Sequence, residues 1–273
     1  MRCLAVLLLL AAAAPALAQA AAPRGAAADS AAAAPASEEA APAEGARAEA
    51  DPATAPVYYA VARGARLYGA VGGSVLARLP LRDAVRRLGA TPDEAWLYVQ
   101  HGDRRGWVRA EELSNLWLRV DKSERTVYLY RGAELVRTFP ADVSPSDADK
   151  VRRAGRTETT HHRIPEGTFY VTRRHDASDY YLAFVLSYPD PADAARGLAD
   201  GLISPAEHRA IVRAHEAFAE PPMNTRLGGL IEIHGDGTGR RRAWTRGCIA
   251  LRNVHMDELW ELVHVGTPVV VQP

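Results

Sequence analysis

The sequence predicts a mostly β protein, a small β-barrel followed by a larger β-rich domain with a few helices. Three observations carry this. Short alternating runs separated by Gly, Pro and Asp fill the stretch from Val57 to Asn115. Longer strand-like runs recur from Leu116 to the end, and only three segments of the chain combine helical spacing with a helix-start signal. With 273 residues the chain is long enough for one large or two small domains and a sizeable core.

Residues 1–18 carry one basic residue, a leucine/alanine run and a small-x-small site at Ala16-Leu17-Ala18, the pattern of a cleaved secretory leader. The apolar run is too short for a membrane span, so a soluble exported protein of the periplasm or cell envelope is expected, with no integral span after cleavage. Cleavage removes Cys3 and leaves Cys248 as the only cysteine of the mature chain, which suggests a reactive thiol or an intermolecular bridge. Residues 19–56 are rich in Ala, Pro and Glu and lack aromatic and long aliphatic side chains. They cannot bury enough surface to offset chain entropy and read as a flexible tether.

Residues 57–115 contain "YYAVA", "ARLYG", "SVLARLP", "AWLYVQ" and "RGWVRAEEL", which alternate as half-buried strands do. Trp96 and the run Gly106-Trp107-Val108 give this segment its resemblance to bacterial SH3-like domains, which often close on a "GWV" strand. That resemblance implies binding to wall peptide or glycan; the alternative is a packing or spacer domain.

Residues 116–273 form the second expected domain. "LWLRVDKSERTVYLYRGAELVRTFPADVS" reads as two or three antiparallel strands, and "EGTFYVTRR", "YYLAFVLSY" and "GGLIEIH" as further ones. Asp190-Pro191 can open a helix, and Ser204-Pro205 with Glu207 forms a capping-box pattern for a second. In the last helix Met256, Leu259, Trp260 and Val263 fall on one face, with Asn253 as the expected cap and Gly266 just beyond the end. "GTPVVVQ" then closes the domain as a strand.

His234 ends the apolar run "LIEIH", and Cys248 follows it across a Gly/Arg-rich loop. A thiol near its ordinary pKa is only a few per cent thiolate at neutral pH, so a nucleophilic cysteine needs a base or a positive field. His234 can be the base, and Arg246 with the neighbouring arginines can contribute the field. Gly247 has no side chain to keep a substrate and backbone amides from the sulfur.

"HGDGTG" followed by "WTRGCIALRN" resembles the YkuD-type L,D-transpeptidase catalytic domain, whose signature is His-Gly followed by Ser/Thr-x-Gly-Cys. The resemblance runs over about residues 116–272 and includes "IPEG" at 164–167. It implies Cys248 as nucleophile, His234 as base and the Gly235 carbonyl as the group that orients the imidazole. The amides around Gly247 and Cys248 would bind the oxyanion, with Thr245 and Arg246 shaping the loop. Arg252, Asn253 and Tyr188 are candidate substrate-binding residues. Arg246 stands where His is frequent, Ala250 where Arg is frequent and Ile164 where Thr is frequent. "YYLAFVLSYPD" with "GCIAL" is closer to relatives acting on protein-peptidoglycan links.

The implied partners are peptidoglycan stem peptides or a wall-linked protein. The reaction implied is thioester formation on Cys248 and acyl transfer to an amine or to water, with no cofactor. A hydrolase and a non-catalytic wall-binding protein are the alternatives. The formal net charge is zero, which gives no global reason to expect nucleic acid. His161, His162 and His175 do not have the spacing of a zinc site, and no metal is expected. "GDGTG" lacks the Lys-Ser/Thr of a phosphate loop.

Overall fold

The computed structural model describes residues 50–145 and 163–273. The expected leader, Cys3, residues 19–49 of the expected tether and the pair His161-His162 lie outside the described residues.

The described chain is mostly β. A first sheet is built from β1 (Val57–Ala60), β2 (Ala65–Tyr68), β3 (Val75–Leu79), β4 (Ala84–Ala90), β5 (Trp96–His101), β6 (Arg104–Arg109) and β7 (Leu113–Ser114). The order is β3-β2-β6-β5-β4-β1-β7 and every pairing is antiparallel. Strand β4 is not announced by alternation in the sequence. A register shift between Arg87 and Gly89 against β5 swings the side chains out of their two-residue period. Leu67, Leu79, Val85, Leu97, Val99 and Val108 make the core of this sheet, and Trp107 is fully buried against Tyr98 and Leu88.

Strands β2 and β6 meet at Gly106, where a Cβ would stand 2.5 Å from the Tyr68 carbonyl oxygen. A backbone atom cannot swing aside as a side-chain tip can. Gly106→Ala is therefore expected to destabilise the fold by about 1–3 kcal/mol, seen as a melting temperature lower by roughly 3–10 °C. An unchanged melting temperature would show that the two strands separate without cost.

The second sheet begins with β8 (Leu116–Asp121), β9 (Thr126–Arg131) and β10 (Glu134–Pro140), an antiparallel meander. It continues with β11 (Gly167–Ser178) and β12 (Tyr181–Leu186) and, after a helical excursion, β13 (Glu232–His234), β14 (Ile249–Ala250) and β15 (Pro268–Gln272). The order is β10-β9-β8-β15-β11-β12-β13-β14, with parallel pairing only at β15/β8 and β13/β14. Leu118, Leu129, Phe139, Phe169, Phe184, Leu186 and Ile233 are fully or almost fully buried in its core.

The excursion carries α1 (Pro191–Ala199) and α2 (Pro205–Glu216), each opened by a complete capping box, Asp190 with Asp193 and Ser204 with Glu207. Ala194, Ile203, Ile211 and Leu227 form their own small core. Helix α3 (Asn253–Leu262) buries Met256 and Leu259 and stacks the half-buried Trp260 on Phe184 of β12, ring centroids 5.3 Å apart. Asn253 does not cap α3. Arg252 occupies the cap position with no side-chain hydrogen bond, since a guanidinium has no acceptor to offer the first-turn N–H groups, and Asn253, the first helical residue, bonds Asp236 instead.

The two sheets are stitched together at Arg82. Its guanidinium stands 5.7 Å from the ring of Tyr59, 5.9 Å from Tyr170 and 5.2 Å from Phe218. Rings from both sheets and from the end of the helical excursion thus share one cation. Burial in this seam pushes the Tyr170 hydroxyl up to about 12, so it stays a hydrogen-bond donor, and it donates to the Ala219 carbonyl at 2.8 Å. The Tyr59 hydroxyl donates to the Leu116 carbonyl, and Arg63 to the Phe218 carbonyl at 3.2 Å.

Candidate active site

β13 and β14 run side by side in parallel, with Ile233 opposite Ile249 and His234 opposite Ala250. Side chains alternate between the faces of a sheet, so Cys248, two residues before Ala250, lies on the same face as His234. Residues fourteen apart in sequence meet here because the loop between them turns the chain back into parallel register.

His234 is 2% exposed. Its Nδ1 is 2.7 Å from the Gly235 carbonyl oxygen. A carbonyl only accepts, so Nδ1 carries the proton and Nε2 is left as the basic nitrogen. The ring of Tyr180 lies 4.6 Å from the imidazole at a 32° tilt, and the indole of Trp244 stands edge-on at 6.4 Å. Gly235 fits because a Cβ there would be 2.7 Å from both Asn253 Oδ1 and Tyr181 Cβ. Asn253 Oδ1 accepts the Asp236 N–H at 2.6 Å, and its Nδ2 donates to Asp236 Oδ1 at 3.1 Å.

Cys248 is half-buried, and its thiol donates to the Leu230 carbonyl at 3.5 Å. Leu230 ends the helical excursion, has φ +53° and is itself exposed. Gly247 is buried and adopts φ +103°, a conformation that a side chain at this position would strain. Among the described residues its amide has no hydrogen-bond acceptor. Thr245 is buried, and its Oγ1 donates to the Cys248 carbonyl at 2.7 Å.

Of the residues selected from sequence, His234, Gly235, Thr245, Gly247 and Cys248 come together. Arg246 is exposed beside them, and Arg252 is exposed with its aliphatic stem against Gly239. Asn253 is at the site, but its amide is committed to Asp236 rather than turned outward. Tyr188 is a correction. It is 3% exposed, packs in the core near Phe169 and donates its hydroxyl to the Leu227 carbonyl at 3.0 Å, so it is not placed to touch a substrate. An aromatic residue closing a strand looks the same in sequence whether its tip meets solvent or a backbone carbonyl.

Tyr180, Trp244 and Leu230 contribute to the site without having been selected, and so does Asp142, whose buried carboxylate holds the loop between His234 and Cys248. The lone Trp in "RAWTRGC" was the only sequence signal among them. His175 Nδ1 lies 3.9 Å from Glu232 Oε1. Among the described residues no three His, Cys, Asp or Glu side chains form a group that could hold a metal, and no helix is long and apolar enough to cross a membrane.

Burial holds the His234 imidazole below its ordinary range, although the Gly235 carbonyl and Asp236 oppose the shift. A neutral, buried His costs nothing above the unfolded-state pKa of about 6.5. As pH falls below that value the unfolded chain takes up the proton first, and the fold loses stability down to the depressed folded pKa. Reactivity that depends on the free base is accordingly expected to persist into mildly acidic solution. The check is the pH profile of iodoacetamide capture of Cys248; an acid limb at or above about 6.5 would contradict the depressed value.

A family model described as the L,D-transpeptidase catalytic domain, YkuD, matches residues 115–271. No curated protein matches the chain. Solved structures that resemble it include an L,D-transpeptidase from Xylanimonas cellulosilytica, at 16% identity and TM-score 0.37, covering 58% of this chain and 61% of that one. Another is the helical cell shape determining protein Pgp2 of Campylobacter jejuni, at 20% identity and TM-score 0.38, covering 58% and 47%. A third is an L,D-transpeptidase from Mycobacterium smegmatis, at 16% identity and TM-score 0.34, covering 84% and 83%. The chain spans less than two thirds of the length of the first two.

Proposed function

The chain belongs to the YkuD family of L,D-transpeptidase catalytic domains, and on that premise we propose that it is an exported enzyme of peptidoglycan that transfers stem-peptide acyl groups through Cys248. The observation that carries the reading is the β13/β14 register. It sets the thiol and an imidazole with a basic Nε2 on one face of the sheet.

The thiol proton passes to His234 Nε2, and the thiolate attacks the carbonyl carbon of the bond between the diamino acid of the stem peptide and the following D-residue. The Gly247 amide, with that of Cys248, supports the resulting oxyanion; these groups are already fixed, so they need no reorganisation when charge develops. The carbon–nitrogen bond breaks as the imidazolium protonates the departing amine, leaving a thioester. An acceptor amine then attacks the thioester, gives up a proton to His234 and releases Cys248.

Residues 57–115 are read as an SH3-like module that holds the enzyme at the wall, and residues 1–18 as the leader that exports it to the periplasm or cell envelope. The seven antiparallel strands of the first sheet are compatible with the former. Intact-protein mass spectrometry after mixing with tetrapeptide stem peptides tests the chemistry. A thioester adduct on Cys248 that resolves into cross-linked dimers supports transpeptidation. Resolution only to shortened peptides replaces it with hydrolysis, and absence of any adduct or product removes the enzyme reading for this substrate class.

A further inference from the structure

The residue that organises the stretch between base and nucleophile belongs to neither motif. Asp142 follows β10 and exchanges both backbone hydrogen bonds with Ala250, at 2.8 and 2.9 Å. Its carboxylate is fully buried and accepts four hydrogen bonds, two on each oxygen. Oδ1 accepts from Thr238 Oγ1 at 2.9 Å and the Arg242 N–H at 2.8 Å. Oδ2 accepts from the Thr238 N–H at 2.7 Å and the Trp244 indole N–H at 2.8 Å. Burial would raise this carboxyl, but the donors outweigh it and hold it below the usual carboxylate range, so it is ionised and acceptor-only, matched to four donors. The adjoining Val143 carbonyl accepts the N–H groups of Trp244 and Thr245 at 2.9 and 3.2 Å.

Two of the groups held here touch the chemistry. Trp244 is 42% exposed, so burial does not fix its ring; the bond to Asp142 does, and the ring then stands against His234. Thr245, the next residue, carries the hydroxyl bonded to the Cys248 carbonyl. We propose that Asp142 is the positioning residue of this active site: acting through Trp244 and Thr245, its carboxylate sets the surroundings of the base and the backbone that presents the thiol. The proposal rests on the assignment of Cys248 as nucleophile and His234 as base.

Asp142→Asn keeps the shape of the side chain but turns an NH2 group toward two donors. The folded variant is expected to lose about 10- to 100-fold in kcat on a tetrapeptide donor with KM within about threefold, and iodoacetamide capture of Cys248 should slow in parallel. Trp244→Phe removes the indole N–H together with the five-membered part of the ring, keeps an aromatic side chain beside His234, and should reproduce part of the loss. The double variant should be no slower than Asp142→Asn alone, because the two act as one unit. Thr238→Val removes one of the four bonds without touching Trp244, so it is expected to lower the melting temperature while kcat stays unchanged. Two results overturn the proposal: a folded Asp142→Asn with kcat within twofold of the parent, or independent multiplication of the two losses. If Asp142→Asn does not fold, Trp244→Phe decides alone, and kcat within twofold overturns it. Cys248→Ala run alongside separates the premise from the proposal. Activity surviving in Cys248→Ala overturns the nucleophile assignment, and with it the proposal. A dead Cys248→Ala beside a fully active Asp142→Asn overturns the positioning role alone.

Discussion

Cys248→Ala is expected to abolish acyl transfer and hydrolysis, by at least about 10³-fold in kcat, with little change in stability. The hydrogen bond from the thiol to the Leu230 carbonyl is long, 3.5 Å, and the residue is only half-buried, so its removal leaves no large cavity. The wall binding proposed for residues 57–115 should be unaffected. The measurement is turnover of tetrapeptide donors together with circular dichroism and a pull-down on isolated wall. Cys248→Ser is expected to be nearly as poor, because His234 with its depressed basicity cannot ionise an alcohol as readily as a thiol. Turnover near the parent level in either variant would mean that the sulfur is not the nucleophile.

Gly235→Ala is expected to have the second largest effect, on rate and on stability together. The added Cβ would fall 2.7 Å from Asn253 Oδ1, 2.7 Å from Tyr181 Cβ and 2.8 Å from the Tyr180 carbonyl oxygen. Two of these three neighbours cannot move without moving the β11/β12 turn or its backbone. The cost should be about 1–3 kcal/mol in stability. Displacement of the Gly235 carbonyl, which orients His234, should lower kcat/KM by about 10²-fold. Gly239→Ala is the comparison. Its Cβ would meet mainly the flexible stem of Arg252, so it should lose stability through its positive φ while keeping most of the rate. A Gly235→Ala enzyme with parent-like kcat/KM would show that the imidazole is held by Tyr180 and Trp244 rather than by the carbonyl.

Several elements were legible because their determinants are local. The capping boxes at Asp190 and Ser204 bind their own first turns, and both helices begin where those residues stand. The buried stripe of α3 follows from the spacing of Met256 and Leu259, with Val263, also buried, just past the helix end. The capping side chain of α3 was not legible. Asn253 has the chemistry of a cap, but a loop seventeen residues away in sequence, at Asp236, competes for its amide and takes it. Strand β4 was hidden by its register shift, and β14 is two residues long, too short for any period to register. Tyr188 was misplaced because a phenol at a strand end can turn either way, and only the neighbouring Leu227 carbonyl decided it.

By itself the sequence determined the chemistry available to this protein: one thiol beyond the expected leader, a histidine ahead of a glycine, and a Gly-Cys step where the chain can take a positive φ. Those are properties of residue type and of neighbours in the chain. Which face the histidine shares, which of its nitrogens is basic and what holds the loop in between were decided only in three dimensions. The register of β13 on β14 and the four bonds to Asp142 join segments far apart in the chain, Trp244 lying 102 positions from the carboxylate that holds it. Hydrogen bonds of that kind depend on donors and acceptors meeting after the sheet has formed, and no period or spacing in the sequence encodes the meeting.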